Sequence, residues 1–161
     1  STLSEKDEIS DVVAKLLPNT RNAFYIGRKQ DYFVAMEASL KLKEISYIQC
    51  EGFAAGELKH GTISLIEKGT PVIALISNNK EVASHTRGNV METVARGASA
   101  ITIVEEGVAR ADDTIVVNQV HPYLSAISMV IPTQLIAYFA SMQRGLDVDK
   151  PRNLAKAVTV E

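Results

Sequence analysis

Cysteine is almost absent from this chain: Cys50 is the single one among 161 residues. A lone thiol excludes an internal disulfide framework and suits a reducing compartment, which points to the cytoplasm. It reads as a small buried hydrophobe sooner than as a nucleophile. Excess charge is missing too. Seventeen basic and nineteen acidic residues leave a formal net charge of −2. That balance offers no electrostatic footprint for nucleic acid or an anionic membrane. No basic segment followed by an apolar core opens the sequence, so no signal peptide is expected. The longest apolar stretch, Ala126 to Met142, is interrupted by Ser128, Pro132, Thr133 and Gln134, and reads as a buried helix and not a membrane span. There is no GxGxxG, P-loop, CxxC or HExxH, and no internal repeat or low-complexity segment. His60, His85 and His121 lack ligand spacing, so no metal is expected.

What is present suits one globular domain able to bury a core: 46% apolar and 22% charged residues. Ser4-Glu5-Lys6-Asp7 has the pattern that opens a helix, and Ile9, Val12, Val13, Leu16 and Leu17 give it one apolar face. Asn22 to Gly27 is a short apolar run ending in glycine, a buried strand. The loop Gly27-Arg28-Lys29-Gln30-Asp31 then lies at a strand's carboxyl end, where open α/β sheets bind ligands. Its two bases could meet an anion or simply be solvated. Thr70 to Ser77 is the clearest parallel-type strand. Asn78 or Asn79 can cap a helix running to about Arg96, before Gly97. Ala100 to Val104 and Thr114 to Asn118 are further strands, with Asp112-Asp113 between them as turn chemistry. Gln49 to Phe53 is a candidate fifth strand. The last helix spans Tyr123 to Arg144, with Leu124, Ile127, Ile131, Leu135, Tyr138 and Met142 expected on its buried face. Pro132 should kink it or mark a junction. Strands alternating with helices imply right-handed crossovers and an α/β fold, a parallel sheet with helices on both faces.

The most informative stretch runs from Glu37 to Gly61, EASLKLKEISYIQCEGFAAGELKHG. Its first half is rich in helix formers and free of glycine and proline. At about 100° per residue, Glu37, Lys41, Glu44 and Ile48 share one stripe. Met36, Leu40 and Tyr47 flank it on one side, Ala38 and Ile45 on the other, while Ser39, Lys43 and Ser46 make a second polar strip opposite. Alternating charges between apolar shoulders suggest a stripe that looks into a cleft. The spacing alone is equally compatible with structural ion pairs worth about 0.2–0.5 kcal/mol each. His60 ends a polar loop bounded by Gly52 and Gly61, the kind of segment that carries sites, although a lone histidine is often incidental.

Two segments carry a resemblance. Ala38-Ser39-Leu40-Lys41-Leu42-Lys43-Glu44-Ile45-Ser46-Tyr47-Ile48 and Ala54-Ala55-Gly56-Glu57-Leu58-Lys59-His60-Gly61 resemble the second sugar-isomerase (SIS) half of the glucosamine-6-phosphate synthase family, the glutamine:fructose-6-phosphate aminotransferases. Lys150 to Glu161, including Pro151-Arg152-Asn153-Leu154-Ala155-Lys156, is similar to that family's terminal tail. The resemblance covers the whole chain, and the chain covers only the last part of the family's protein. It implies a three-layer α/β/α SIS domain with a four- to five-stranded parallel sheet. It divides the chain into a linker helix from the preceding SIS half (1–20), the SIS domain (21–145) and a catalytic tail (146–161).

Moving a carbonyl between C2 and C1 of a sugar requires ring opening, a hold on the open carbonyl, and a proton shuttle. Histidine, lysine and a carboxylate suit these steps in turn. The resemblance implies that Glu44 is the base for the C1–C2 transfer and that Lys156 forms the imine with open-chain fructose 6-phosphate. It implies that His60 opens the ring in the neighbouring subunit's site, and that Glu37 and Lys41 support Glu44. It implies no metal or organic cofactor. The family's SxSGxT phosphate loop has Ser77-Asn78-Asn79-Lys80 as its equivalent here, without glycine or threonine. The phosphate cradle is therefore expected from the missing first SIS half. The implied partners are that half, a glutaminase domain, the sugar phosphate and a second copy in a homodimer, and little turnover is expected from this chain alone. The other readings are a non-catalytic sugar-phosphate-binding SIS module and another SIS enzyme, such as a deglycase acting on fructosamine phosphates. The PRNLAK tail counts against both.

Overall fold

The apolar runs of the sequence become five parallel strands. The structure, a computed structural model, describes residues 5–153. The strands are β1 (Asn22–Gly27), β2 (Gln49–Ala54), β3 (Pro71–Ile76), β4 (Ser99–Glu105) and β5 (Ile115–Val117). They form one sheet in the order β2-β1-β3-β4-β5. The segment at Gln49 is a true strand, paired with β1 from Asn22↔Gln49 to Gly27↔Ala54 at one edge of the sheet. β3 is buried at every position, as a central strand covered on both faces must be.

Among the described residues four helices cover the sheet: α1 (Lys6–Leu16), α2 (Gln30–Ser46), α3 (Lys80–Val94) and α4 (Ser125–Gln143). The period-2 alternation of the strands divides the core between the two faces. Ala23, Tyr25, Ile73, Leu75, Ile101 and Ile103 pack with residues of α1, α2 and α4. Phe24, Ile26, Val72 and Ala74 point the other way and pack with Val90 of α3 and with Ala55, Leu58 and Ile66. The three-layer α/β/α arrangement is therefore present. Between β2 and β3 the chain makes two short 3-10 turns, Leu58–His60 and Thr62–Leu65.

Local signals explain most boundaries. The Asn79 side chain accepts a hydrogen bond from the Val82 amide at 3.1 Å and caps α3. A Cβ on Gly27 would stand 2.4 Å from the Asp31 backbone, so only glycine permits the tight turn from β1 into α2. Helix α1 begins at Lys6 with Glu5 in the cap position and no side-chain cap. Ser4, which the pattern set as the opener, lies outside the described residues. Ile9 and Val13 of α1 and Leu17 just beyond it are buried in the same core as α2 and α4.

Helix α4 departs from expectation in its buried face. It passes through the buried Pro132 as one element, with no junction there. Its buried face is Ser125, Met129, Pro132, Thr133, Ile136, Ala137, Ala140 and Ser141, whereas Leu124, Ile127, Tyr138 and Met142 are exposed and Ile131 and Leu135 half-buried. The helix is apolar on nearly every side, so its hydrophobicity could not choose the inward face. Small residues won: Ala137, Ala140 and Ser141 are inside, and the Ser141 hydroxyl donates to the Ile45 carbonyl of α2 at 2.9 Å. By length and composition Pro122–Gln143 could cross a bilayer. Here its Met129, Ile136 and Ala140 face is core packing of the α/β layers.

Candidate active site

Helix α2 is clamped at two points in its first half. At its start the Asp31 carboxylate accepts hydrogen bonds from the Ser77 amide at 2.9 Å and the Ser77 hydroxyl at 3.0 Å, which ties α2 to the end of β3. Further along, β2 runs so close that a Cβ on Gly52 would stand 2.7 Å from the Ala35 carbonyl oxygen. The face so clamped consists of Val34, Ala35, Ala38, Ser39, Leu42 and Ser46. Two members of the second polar strip, Ser39 and Ser46, are therefore buried and not at the surface. Their hydroxyls fold back onto the Met36 and Leu42 carbonyls of the same helix.

Burying that face turns Glu37, Lys41 and Glu44 outward. The Lys41 ammonium lies 2.9 Å from Glu44 Oε2 and 3.6 Å from Glu37 Oε1. The three side chains are 48, 38 and 27% exposed in the order Glu37, Lys41, Glu44. The stripe therefore stands on the outer face of the helix, beside exposed Phe33, Met36 and Leu40, and does not look into a cleft of this fold. The hydrogen bond to Glu44 is the main reason that Lys41 holds its proton more tightly than an ordinary lysine. A lysine so held orients and counterbalances a carboxylate, and is a poor amine nucleophile.

Sequence reasoning missed the contact at the end of α2. Tyr47 caps the helix in the left-handed region, φ 59°, with its amide donating to the Lys43 carbonyl at 3.2 Å. Its phenol oxygen accepts a hydrogen bond from the Arg152 amide at 2.7 Å. The Arg152 guanidinium lies over the Tyr47 ring, 4.0 Å from its centroid. The chain after α4 therefore returns to a residue three positions beyond Glu44. A tyrosine forced to a positive φ was the one available signal, and it is visible only once the helix boundary is known. Lys156 follows Arg152 by four positions and lies outside the described residues.

His60 is exposed at the end of its 3-10 turn, its amide donating to the Glu57 carbonyl at 3.0 Å. Leu58, 2% exposed, anchors that turn in the α3-side core. His60 follows the carboxyl end of β2. Glu44 precedes the amino end, because Gln49, five residues on, opens β2 with its amide bonded to the Arg21 carbonyl at 2.8 Å. Roughly 16–20 Å of strand separates the two ends at about 3.3 Å per residue. One chain brings Glu37, Lys41, Glu44 and the tail's approach together and leaves His60 at the opposite end of the sheet. Cys50 is fully buried and its thiol is pushed up to about 12, first by burial, so it is no nucleophile. Among the described residues no group of three or more acidic, histidine or cysteine side chains could hold a metal ion.

Comparison with known proteins places the fold. The model of the SIS domain matches residues 16–143. The chain is 92% identical over its whole length to glutamine–fructose-6-phosphate aminotransferase (isomerizing) of Lactococcus lactis, and 75% identical to that of Streptococcus mutans. It spans 27% of the length of each of these relatives. Among solved structures, the C-terminal domain of glucosamine-fructose-6-phosphate aminotransferase from Francisella tularensis matches with a TM-score of 0.83 and 34% identity, over 92% of this chain and 42% of that one. A glucosamine-6-phosphate deaminase from Thermotoga maritima matches with a TM-score of 0.76 and 26% identity, over 96% of this chain and 46% of that one. With the matched residues running from the end of α1 to the end of α4, across all five strands, the chain belongs to the SIS domain family.

Proposed function

We propose that this chain is the second isomerase (SIS) unit of an enzyme that makes glucosamine 6-phosphate from fructose 6-phosphate and glutamine. Glu44 is the base for the transfer between C1 and C2, oriented by Lys41 and Glu37. Lys156 forms the imine with the open-chain sugar, and His60 opens the ring. The observation that supports this reading is the docking of Arg152 on Tyr47, which brings the chain, four residues before Lys156, to the helix end that holds Glu44. His60, at the far end of the sheet, then serves the site of a second copy, so the working unit is a homodimer. The sugar phosphate, the glutaminase domain and a cytoplasmic setting belong to this same reading. Relatives 74–92% identical to the chain carry the aminotransferase name, and no observation favours the binding-module or deglycase readings.

The first SIS half has a place to sit. Phe33, Met36 and Leu40 of α2 and Ile127, Tyr138 and Met142 of α4 are large, apolar and exposed on two helices that share one core layer. The solved relatives above are about twice as long as the stretch that this chain covers, which leaves room for a second unit. That half brings the phosphate cradle which Ser77 to Lys80 cannot form, and α1 leads out of it. The test is an isomerase assay with fructose 6-phosphate. The chain alone gives no measurable rate. Joined to the remainder of the enzyme it turns over, and Glu44→Gln then lowers the rate by about 10²–10⁴-fold, the usual worth of a general base. A clear rate from the chain alone, abolished by Glu44→Gln, contradicts the division of labour between the halves.

A further inference from the structure

The chain beyond α4 is steered at each step. Gly145, φ 68°, closes α4 in the left-handed region, with its amide donating to the Met142 carbonyl at 3.0 Å and the Leu146 amide to the Ser141 carbonyl at 3.1 Å. This turn starts beside α2, because the Ser141 hydroxyl holds the Ile45 carbonyl. The Asp147 carboxylate then accepts from the Asp149 amide at 2.9 Å and makes a second turn. Pro151 restricts its own φ. Arg152 docks on Tyr47, and Asn153, φ 60°, turns the chain once more.

The docking is a clasp with two parts. The Tyr47 phenol oxygen accepts from the Arg152 backbone amide, and the Tyr47 ring carries the Arg152 guanidinium on its face. Glycine or asparagine ordinarily closes a helix at a φ near that of Tyr47, 59°, whereas a tyrosine meets steric resistance there. Arg152 is exposed and Tyr47 half-buried, so neither fills the core. What the clasp fixes is the path of the chain.

We propose, resting on the roles given above to Glu44 and Lys156, that Tyr47 and Arg152 are positioning residues for the isomerase reaction. Their clasp holds the root of the tail one helical turn from Glu44, so that imine and base meet on the same sugar. In the imine step the Lys156 nitrogen bonds C2 of the open-chain sugar, and the carbonyl oxygen leaves as water. Lys156 follows Arg152 by four residues and Gly145 by eleven. At about 3.3–3.6 Å per residue its reach is at most about 14 Å from the clasp and about 40 Å from the end of α4. Effective concentration falls roughly as the −3/2 power of the length between anchor and reactive group, so losing the nearer anchor dilutes the amine about fivefold.

The test uses the whole enzyme and borohydride, which delivers hydride to the imine carbon and leaves the lysine joined to the sugar as a stable secondary amine. Adduct mass is followed against time at saturating fructose 6-phosphate. Tyr47→Phe and Arg152→Ala should each slow trapping about two- to threefold, and the double variant about fivefold, as loss of a hydrogen bond and of an exposed cation–ring contact does. KM for the sugar and the urea midpoint should not change, since neither the phosphate hold nor the core is touched. Arg152→Lys, which keeps a cation over the ring, should trap at close to the parent rate. Arg152→Ala, at an exposed position, decides the matter if Tyr47→Phe fails to fold.

Lys156→Ala separates the two claims. Adduct that persists in it removes Lys156 as the imine lysine, and this inference falls with that reading. Adduct that is lost in Lys156→Ala but forms at the parent rate in the clasp variants leaves the reading standing and overturns the clasp. A lowered urea midpoint with an unchanged trapping rate per folded molecule would make the clasp merely structural, and overturns it too.

Discussion

Asp31 and Asp113 both have buried carboxylates, but their hydrogen-bond partners differ in kind. Asp31 is 1% exposed and is pushed up to about 6, first by burial and further by nearby Glu105, while its two bonds from Ser77 only moderate the rise. The folded state thus binds this proton more tightly than the unfolded chain, whose carboxylate titrates near 3.8. Asp31 therefore makes stability fall as pH rises from about 4 to 6, by up to about 3 kcal/mol at 1.36 kcal/mol per pH unit. Urea midpoints across this range should show that slope in the parent chain and a flatter one in Asp31→Asn. Identical slopes would remove Asp31 as the cause.

At Asp113 burial also raises the pKa, but it is outweighed by the Arg87 guanidinium, the Arg110 amide and the Thr102 hydroxyl. Arg87 grips the carboxylate with two nitrogens, each at 2.7 Å, and this fixes α3 to the turn before β5. The depressed pKa means that this contribution is present above the ordinary carboxylate range and is lost as pH falls below it. Asp113→Ala leaves Arg87, 12% exposed, without its counter-charge, and should cost about 3 kcal/mol, read as a lower urea midpoint at neutral pH. The pair Asp112-Asp113 reads as turn chemistry from sequence, and Asp113 does accept from the Arg110 amide. Its link to Arg87, 26 residues away, had no local signature.

At the scale of elements, strand existence was legible because central parallel strands are continuous apolar runs, as at β3. The inward face of α4 was not, since a helix apolar all round leaves the choice to packing. The consequence is a large exposed apolar surface on α2 and α4 around the Glu37–Lys41–Glu44 stripe. Ile127 is 62% exposed. Ile127→Asp should therefore shift the stability of this chain by no more than about 0.5 kcal/mol, as surface substitutions do. It should weaken association with the first SIS half by at least tenfold, as burial of an unpaired charge in an apolar interface does. Unfolding of the chain by Ile127→Asp would show that this face is internal. The tail is likewise an element held by few contacts. Tyr47→Phe removes the acceptor for the Arg152 amide, and hydrogen exchange at that amide should quicken severalfold, with the rest of α2 unchanged.

At the scale of the molecule, the stripe of alternating charge and the polar loop singled out Glu44 and His60 in the sequence, while their proposed roles and that of Lys156 rest on the resemblance. What the sequence could not show is that Glu44 and His60 lie at opposite ends of the sheet. That separation follows from one crossover, α2 running back along β1 before β2 starts again. The central claim is that each site takes Glu44 and Lys156 from one subunit and His60 from another. The direct measurement is complementation between two inactive variants of the whole enzyme, one carrying Glu44→Gln and the other His60→Ala. In a mixed dimer one site then combines an intact Glu44 with an intact His60. Random pairing should restore about a quarter of the parent activity, as a two-fold symmetric dimer requires. Mixtures that stay as inactive as the separate variants would contradict the shared site and, with it, the role given to His60.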